Sequence, residues 1–159
     1  MPTFVVPEQD GSFLERAPIR VEASTVVAAS PAQVFEVLAA VGGWASWHTK
    51  IRKVQVAPGP SSGVGAQRSV WVGPTRVDER FTVWEPGVRL QFVILGSNLP
   101  GFAGFVEEWS LLPEGDGTKL TAVLGAALAS WMRPLQGVVR GILQGAAGGV
   151  EGITSQFSS

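Results

Sequence analysis

Between Ile51 and Ala126 the chain breaks into six short runs of strand-forming residues: Ile51–Ala57, Ala66–Val72, Thr75–Trp84, Val88–Leu95, Ala103–Leu112 and Lys119–Ala126. "PGPSSGVG", "GP", "EPG", "GSNLPG" and "PEGDGT" stand between them, each built of residues that turns require. Connections this short join antiparallel neighbours, because a parallel crossover needs on the order of a dozen residues. The middle of the chain therefore predicts an antiparallel meander. Such a sheet must bury one face, and the flanking segments have to cover it.

Ahead of the meander, "IRVEASTVVAA" (Ile19 to Ala29) partly alternates and reads as a strand, with Ile19, Val21 and Ala23 on one face. The period changes at Ser30. Ser30 and Gln33 form a capping box, Pro31 takes the first helical position, and Val34, Val37, Leu38 and Val41 follow as one apolar stripe. Gly42-Gly43 ends that helix, and "WASWHTK" is long enough for one more turn. Behind the meander, Ser130 to Phe157 is helical by period. Leu135, Val138, Val139, Ile142, Ala146, Val150, Ile153 and Phe157 share a broad arc, with Arg140, Gln144 and Glu151 opposite. Gly137, Gly141, Gly145, Gly148 and Gly152 form a stripe on one flank of that arc. Its two functional readings are space at a cavity mouth and close approach of another chain's helix; glycine-rich composition alone is the third explanation. Residues 1–17 read as a loose N-terminal arm, and 18–159 as one domain.

This order of elements resembles the START-related, helix-grip superfamily (SRPBCC), which includes polyketide cyclases/dehydrases and the major birch pollen allergen. The resemblance runs from about Ile19 to Phe157. It rests on "ASPAQVFEVLAAVGGWASWH", "RVDERFTVWEPGVRLQF" and "EEWSLLPEGDGTKLT". It implies an α+β helix-grip fold: a curved antiparallel β-sheet of about seven strands wrapped around a long C-terminal helix, with two short helices after the first strand. It also implies a deep cavity between sheet and helix that holds an apolar ligand. Six tryptophans and eight phenylalanines, with no tyrosine, suit such a lining.

Charge and composition narrow the function classes. The net charge is -1 and no basic run stands out, which argues against nucleic acid as a partner. The chain has no cysteine and a single histidine, so thiolate chemistry is excluded and no metal is expected. No cofactor is implied. The N-terminus lacks a signal-peptide layout and no run is long enough to span a membrane, so a cytoplasmic protein without stable membrane insertion is expected, as a monomer or homodimer.

Candidate site residues follow from strand alternation. Glu79 shares a face with Val77 and Phe81, Glu107 with Phe105, Trp109 and Leu111, and Arg68 with Val70 and Val72. Charges on otherwise apolar faces need partners, so Arg68 is expected to pair with Glu79 or Glu107, inside a cavity or at its rim. Trp47, Phe81, Phe92, Phe105 and Trp109 are the expected aromatic lining, opposite Leu135, Val138 and Ile142 of the terminal helix. Phe102, in the loop from Gly96 to Gly104, joins them, and that loop reads either as a long turn or as a glycine-hinged gate. His48, Glu79 and Glu107 are the weak catalytic candidates. No sequence-local partner orients His48, so Trp44-Ala-Ser-Trp47-His48 reads as wall more than as active centre.

These residues point to a hydrophobic small molecule, lipid-like, isoprenoid or polyketide-type, bound between sheet and helix. The resemblance also admits a polyketide aromatase/cyclase or dehydrase using the same cavity. A third class is a protein-interaction module.

Overall fold

The structure is a computed structural model that describes residues 3–157. Its elements are β1 (Phe4–Val5), α1 (Phe13–Arg16), β2 (Ile19–Val27), α2 (Pro31–Ala39), β3 (Lys53–Val56), β4 (Gln67–Val72), β5 (Thr75–Glu85), β6 (Arg89–Ser97), β7 (Phe102–Glu114), β8 (Gly117–Leu128) and α3 (Gln136–Ala147). Turns of 3-10 helix cover Trp44–Ser46, Ser130–Leu135 and Gly148–Gln156. α2 starts where the sequence says it should. The Gln33 backbone N–H donates to Ser30 Oγ (3.2 Å), and the Ser30 N–H donates back to Gln33 Oε1 (3.0 Å).

The meander forms as expected, in the order β2-β8-β7-β6-β5-β4-β3, with every pairing antiparallel. Gly73 and Gly115 open the two-residue hairpin loops after β4 and β7 at φ of 58° and 57°, a conformation a side chain would strain. Two register shifts in β5, between Asp78 and Glu79 and between Phe81 and Val83, mark bulges that bend the sheet. β6 pairs with β7 only from Arg89 to Val93 and then departs from it; β1 lies against the departing end, Val5 opposite Gly96.

The inner face of the sheet holds the main core. Phe81, Phe92 and Trp109 pack there with Trp44, with Val34, Phe35 and Leu38 of α2, and with Ala147, Val150 and Ile153 of the terminal segment. A smaller cluster of Phe13, Leu14, Val93, Val106 and Val123 covers the outer face.

Three expectations change. The arm is not loose: β1 pairs with the sheet, Phe13 and Leu14 are buried, and Glu8 forms an ion pair with Arg80. The sequence rule that prolines and charges mean a loose arm failed because strand pairing, one ion pair and the burial of Val6, Phe13 and Leu14 together dock it. The terminal segment is helical throughout, but only Gln136–Ala147 is α-helix; Pro134 lies within the 3-10 turn before it, and a 3-10 stretch follows. The glycine stripe does not line the cavity between sheet and helix. A Cβ at Gly137, Gly141, Gly145 or Gly148 would meet nothing within 4 Å, whereas Gly152 lies against the Trp47 carbonyl.

Candidate ligand cavity

Curvature separates the sheet from the terminal helix over part of its length, and a cavity of about 530 Å³ fills the gap. That is within the ordinary size of small-molecule sites. Val70, Val72 and Val77 from β4 and β5, Phe92 and Ile94 from β6, Phe105 from β7 and Leu124 from β8 form the sheet side. Val139, Leu143 and Ala146 of α3 face them. A shallower groove of about 420 Å³ lies elsewhere, between α2 and the terminal residues Gln156 and Phe157. It is open and gathers no cluster of charged groups, so the chemistry belongs to the larger cavity.

The floor is polar and built across strands. Arg68 on β4 stands directly opposite Glu79 on β5, and Arg68 Nε donates to Glu79 Oε1 at 2.8 Å. Both side chains are buried, 1% and 6% exposed. Arg68 Nη1 donates to the Val41 carbonyl (2.8 Å), and the guanidinium lies 4.0 Å from the Trp44 ring centroid, with Phe81 and Phe92 also beside it. Arg68 Nη2 has no partner and is sealed from the cavity space. Desolvation pushes the Glu79 carboxyl above its ordinary value, while the Arg68 charge pulls against it.

Glu107 on β7 is different. Trp109 Nε1 donates to its Oε2 at 2.6 Å, and the side chain, half-buried, opens onto the cavity it lines. Burial first, and the neighbouring Glu79 charge second, push its carboxyl up to about 8. The one arginine is paired with Glu79, and burial favours the uncharged form of Glu107.

His48 is wall. It packs against Trp44, Trp47 and Trp109 and lies on Gly149, where any side chain would collide with the imidazole. Burial, helped by the Arg68 and Lys50 charges, pulls it down to about 4, so it is neutral near pH 7. Its Nδ1 accepts from the Lys50 N–H (3.2 Å), which assigns the proton to Nε2.

Of the residues expected from the sequence, Arg68, Glu79, Phe92, Phe102, Phe105, Glu107, Leu135, Val138 and Ile142 line the cavity, and so does His48. Trp47, Phe81 and Trp109 do not. Trp109 and Phe81 are fully buried beneath the floor, and Trp47 faces the second groove. Alternation selected the correct face but could not separate residues that touch the cavity from those covered by a neighbouring ring. Trp44, Ile51, Trp131 and Met132 were missed. Trp44 had the same helical phase as Trp47, and Trp131 stood outside the periodic arc. Leu99, Trp131, Leu135, Val138 and Ile142 line the cavity yet are 46–64% exposed, which makes them its rim.

The loop after β6 is tied down. Asn98 Nδ2 donates to the Pro74 carbonyl (3.0 Å), the Arg76 N–H donates to Asn98 Oδ1 (2.9 Å), and the Ala129 N–H donates to the Gly101 carbonyl (2.8 Å). Of the loop's three glycines, Gly96 and Gly104 sit paired within strands, and Gly101 stays in the loop at a φ of 106°.

Residues 18–153 match the family described as polyketide cyclase / dehydrase and lipid transport. The chain belongs to that family. Relatives in Mycobacterium tuberculosis and Mycobacterium bovis, each described as an uncharacterised protein, are 33% identical over 133 residues, covering 83% of this chain and 80% of the relative. Among solved structures, a START superfamily protein from Mycobacterium smegmatis is 14% identical with a TM-score of 0.68, over 88% of this chain and 99% of that one. An aromatase/cyclase from Streptomyces is 18% identical with a TM-score of 0.68, over 86% and 92%. At such identities the family's structures establish the helix-grip fold and no more. Among the described residues no helix is long and apolar enough to cross a membrane.

Proposed function

We propose that the protein binds a hydrophobic small molecule, lipid-like, isoprenoid or polyketide-type, in the cavity between the sheet and the C-terminal helical segment. One observation carries this reading: a cavity of about 530 Å³ with apolar walls runs from a polar floor to an exposed apolar rim. A core that needed only stability would have closed that gap, because unfilled space costs packing energy. The chain's family includes lipid transport, which supports the same reading.

The test is titration with N-phenylnaphthylamine, a neutral apolar dye that brightens when it leaves water. It should saturate at one dye per chain. Val139→Trp, which fills the cavity from α3, should weaken binding by about tenfold, roughly 1.4 kcal/mol. No saturable binding, or equal binding by a folded Val139→Trp variant, overturns the reading.

A cyclase or dehydrase acting in the same space is the second reading, and Glu107 is what favours it. A protonated carboxyl in an apolar cavity is a competent general acid. Two further observations favour binding. Glu79 is committed to Arg68, and the His48 Nδ1 is committed to a backbone N–H, so Glu107 lacks a free titratable partner on the cavity wall.

A further inference from the structure

We propose that the cavity takes an elongated apolar molecule whose single polar end is an uncharged hydrogen-bond acceptor of the carbonyl class, seated on Glu107, with its apolar end at the rim. This rests on the reading of the cavity as an apolar ligand site and names the chemistry of what fills it.

The polarity of the cavity is inverted relative to a site that leaves a ligand's head in water. Its rim is Leu99, Trp131, Leu135, Val138 and Ile142, all exposed and all without a hydrogen-bonding partner to offer a polar head beyond the Trp131 indole. Its charged groups lie at the floor, and its other polar side chains, Thr75 and His48, belong to the wall. Arg68 and Glu79 are paired at the floor and almost wholly buried, the unpartnered Arg68 Nη2 included. Glu107 alone of the three is partly accessible, and one of its oxygens is already held by Trp109. The other oxygen has no protein partner among the described residues and is the group a ligand can reach.

Charge then selects among polar ends. The Arg68–Glu79 pair is internally neutral, so an incoming ion finds no spare countercharge. A carboxylate would be buried beside Glu79, and an ammonium beside the Arg68 guanidinium; burying either unpaired is costly. An uncharged carbonyl accepts one hydrogen bond from the Glu107 carboxyl and adds no charge. The preference of Glu107 for its protonated form, raised to about 8 by burial, supports the donor role.

The experiment displaces bound N-phenylnaphthylamine with three chains of matched length: methyl nonyl ketone, undecane and undecylamine. The ketone should compete at concentrations about tenfold lower than the other two, the scale of one buried hydrogen bond. Glu107→Gln, whose amide still donates, should keep that preference, and Glu107→Leu should abolish it. A ketone carrying bromine at its far carbon should quench the emission of Trp131, so that the quench shrinks in Trp131→Phe.

Equal displacement by ketone and undecane overturns the proposal and leaves the apolar-ligand reading standing, as does strongest displacement by the amine. Retention of the preference in Glu107→Leu, or an undiminished quench in Trp131→Phe, also overturns it. If the dye itself does not bind, both readings fall together. Should Glu107→Leu fail to fold, pH decides: the wild-type preference should fade above about pH 8 while that of Glu107→Gln persists, and a wild-type preference unchanged by pH overturns the proposal.

Discussion

At the scale of single residues, the floor depends on Arg68. Its charge is held by one carboxylate, one carbonyl and three aromatic faces, with almost no water. Arg68→Met should destabilise the fold by about 3–5 kcal/mol, because Glu79 is left charged and alone. The double variant Arg68→Met, Glu79→Met should recover most of that loss in urea unfolding. A double variant no more stable than the single one contradicts this account of the pair. Glu107 contributes with the opposite logic. Its carboxyl is raised from 4.5 to about 8 on folding, so the native state holds the proton more tightly than the unfolded chain. Its contribution is complete below pH 4.5 and is lost as pH rises through about 8. Glu107→Gln should flatten the decline in stability across that window, measured as urea midpoints against pH. His48 acts in the other sense: lowered from 6.5 to about 4, it contributes above pH 6.5 and loses that contribution as pH falls towards 4. Much of this floor was legible. Alternation put three charges on apolar faces, and elementary electrostatics demanded a partner for the arginine. Which carboxylate it would take was not legible, because register across β4 and β5 and the two bulges in β5 belong to the pairing of strands.

At the scale of elements, the capped helix α2 and the meander were readable because local rules alone decide them: a capping box and punctuated strands. The terminal segment was readable only in outline. A period of 3.6 fixes which residues share an arc, but the roll of the helix against the sheet fixes which of them meet the core, the cavity or solvent. Leu143 and Ala147 face inward, while Val138 and Ile142, read as equally interior, form the rim. The glycines of α3 follow from the same roll. Gly141 and Gly145 have open space where a Cβ would go and ordinary helical backbone, so nothing in the fold requires them. Gly141→Ala and Gly145→Ala should each stabilise the protein by up to about 1 kcal/mol, read as a rise in thermal midpoint with dye affinity unchanged. A fall in stability would mean that something covers that flank. Neither glycine lines the cavity, so widening of its mouth does not explain them.

At the scale of the whole molecule, the order of elements identified the architecture, since few arrangements cover one bent sheet with one terminal helix. The cavity was implied by that architecture, but its lining was not. Trp109 and Phe81 lie under Trp44 and Phe92 and never reach the open space, a matter of stacking in three dimensions that no spacing in the chain encodes. The outer face was the other surprise. A sheet with a helix on one side leaves its opposite face to solvent, and here the N-terminal residues close it with Phe13 and Leu14. Both faces of the sheet are thus covered by the ends of one chain.

The fastening of α3 has a consequence for solution behaviour. Arg140 donates to the carbonyls of Pro18 and Arg20, and Gln144 to that of Glu22, along β2, the outermost strand on that side. An outermost strand with bare carbonyls is a template on which another polypeptide can add itself. α3 is at once the wall of the cavity and the plug on that template. If the cavity takes a ligand as proposed, an excursion that swings α3 outward to admit it would also strip the plug, so filling the cavity and resisting precipitation would become a single equilibrium. A ligand that holds α3 in place would then, by the same contacts, guard against aggregation.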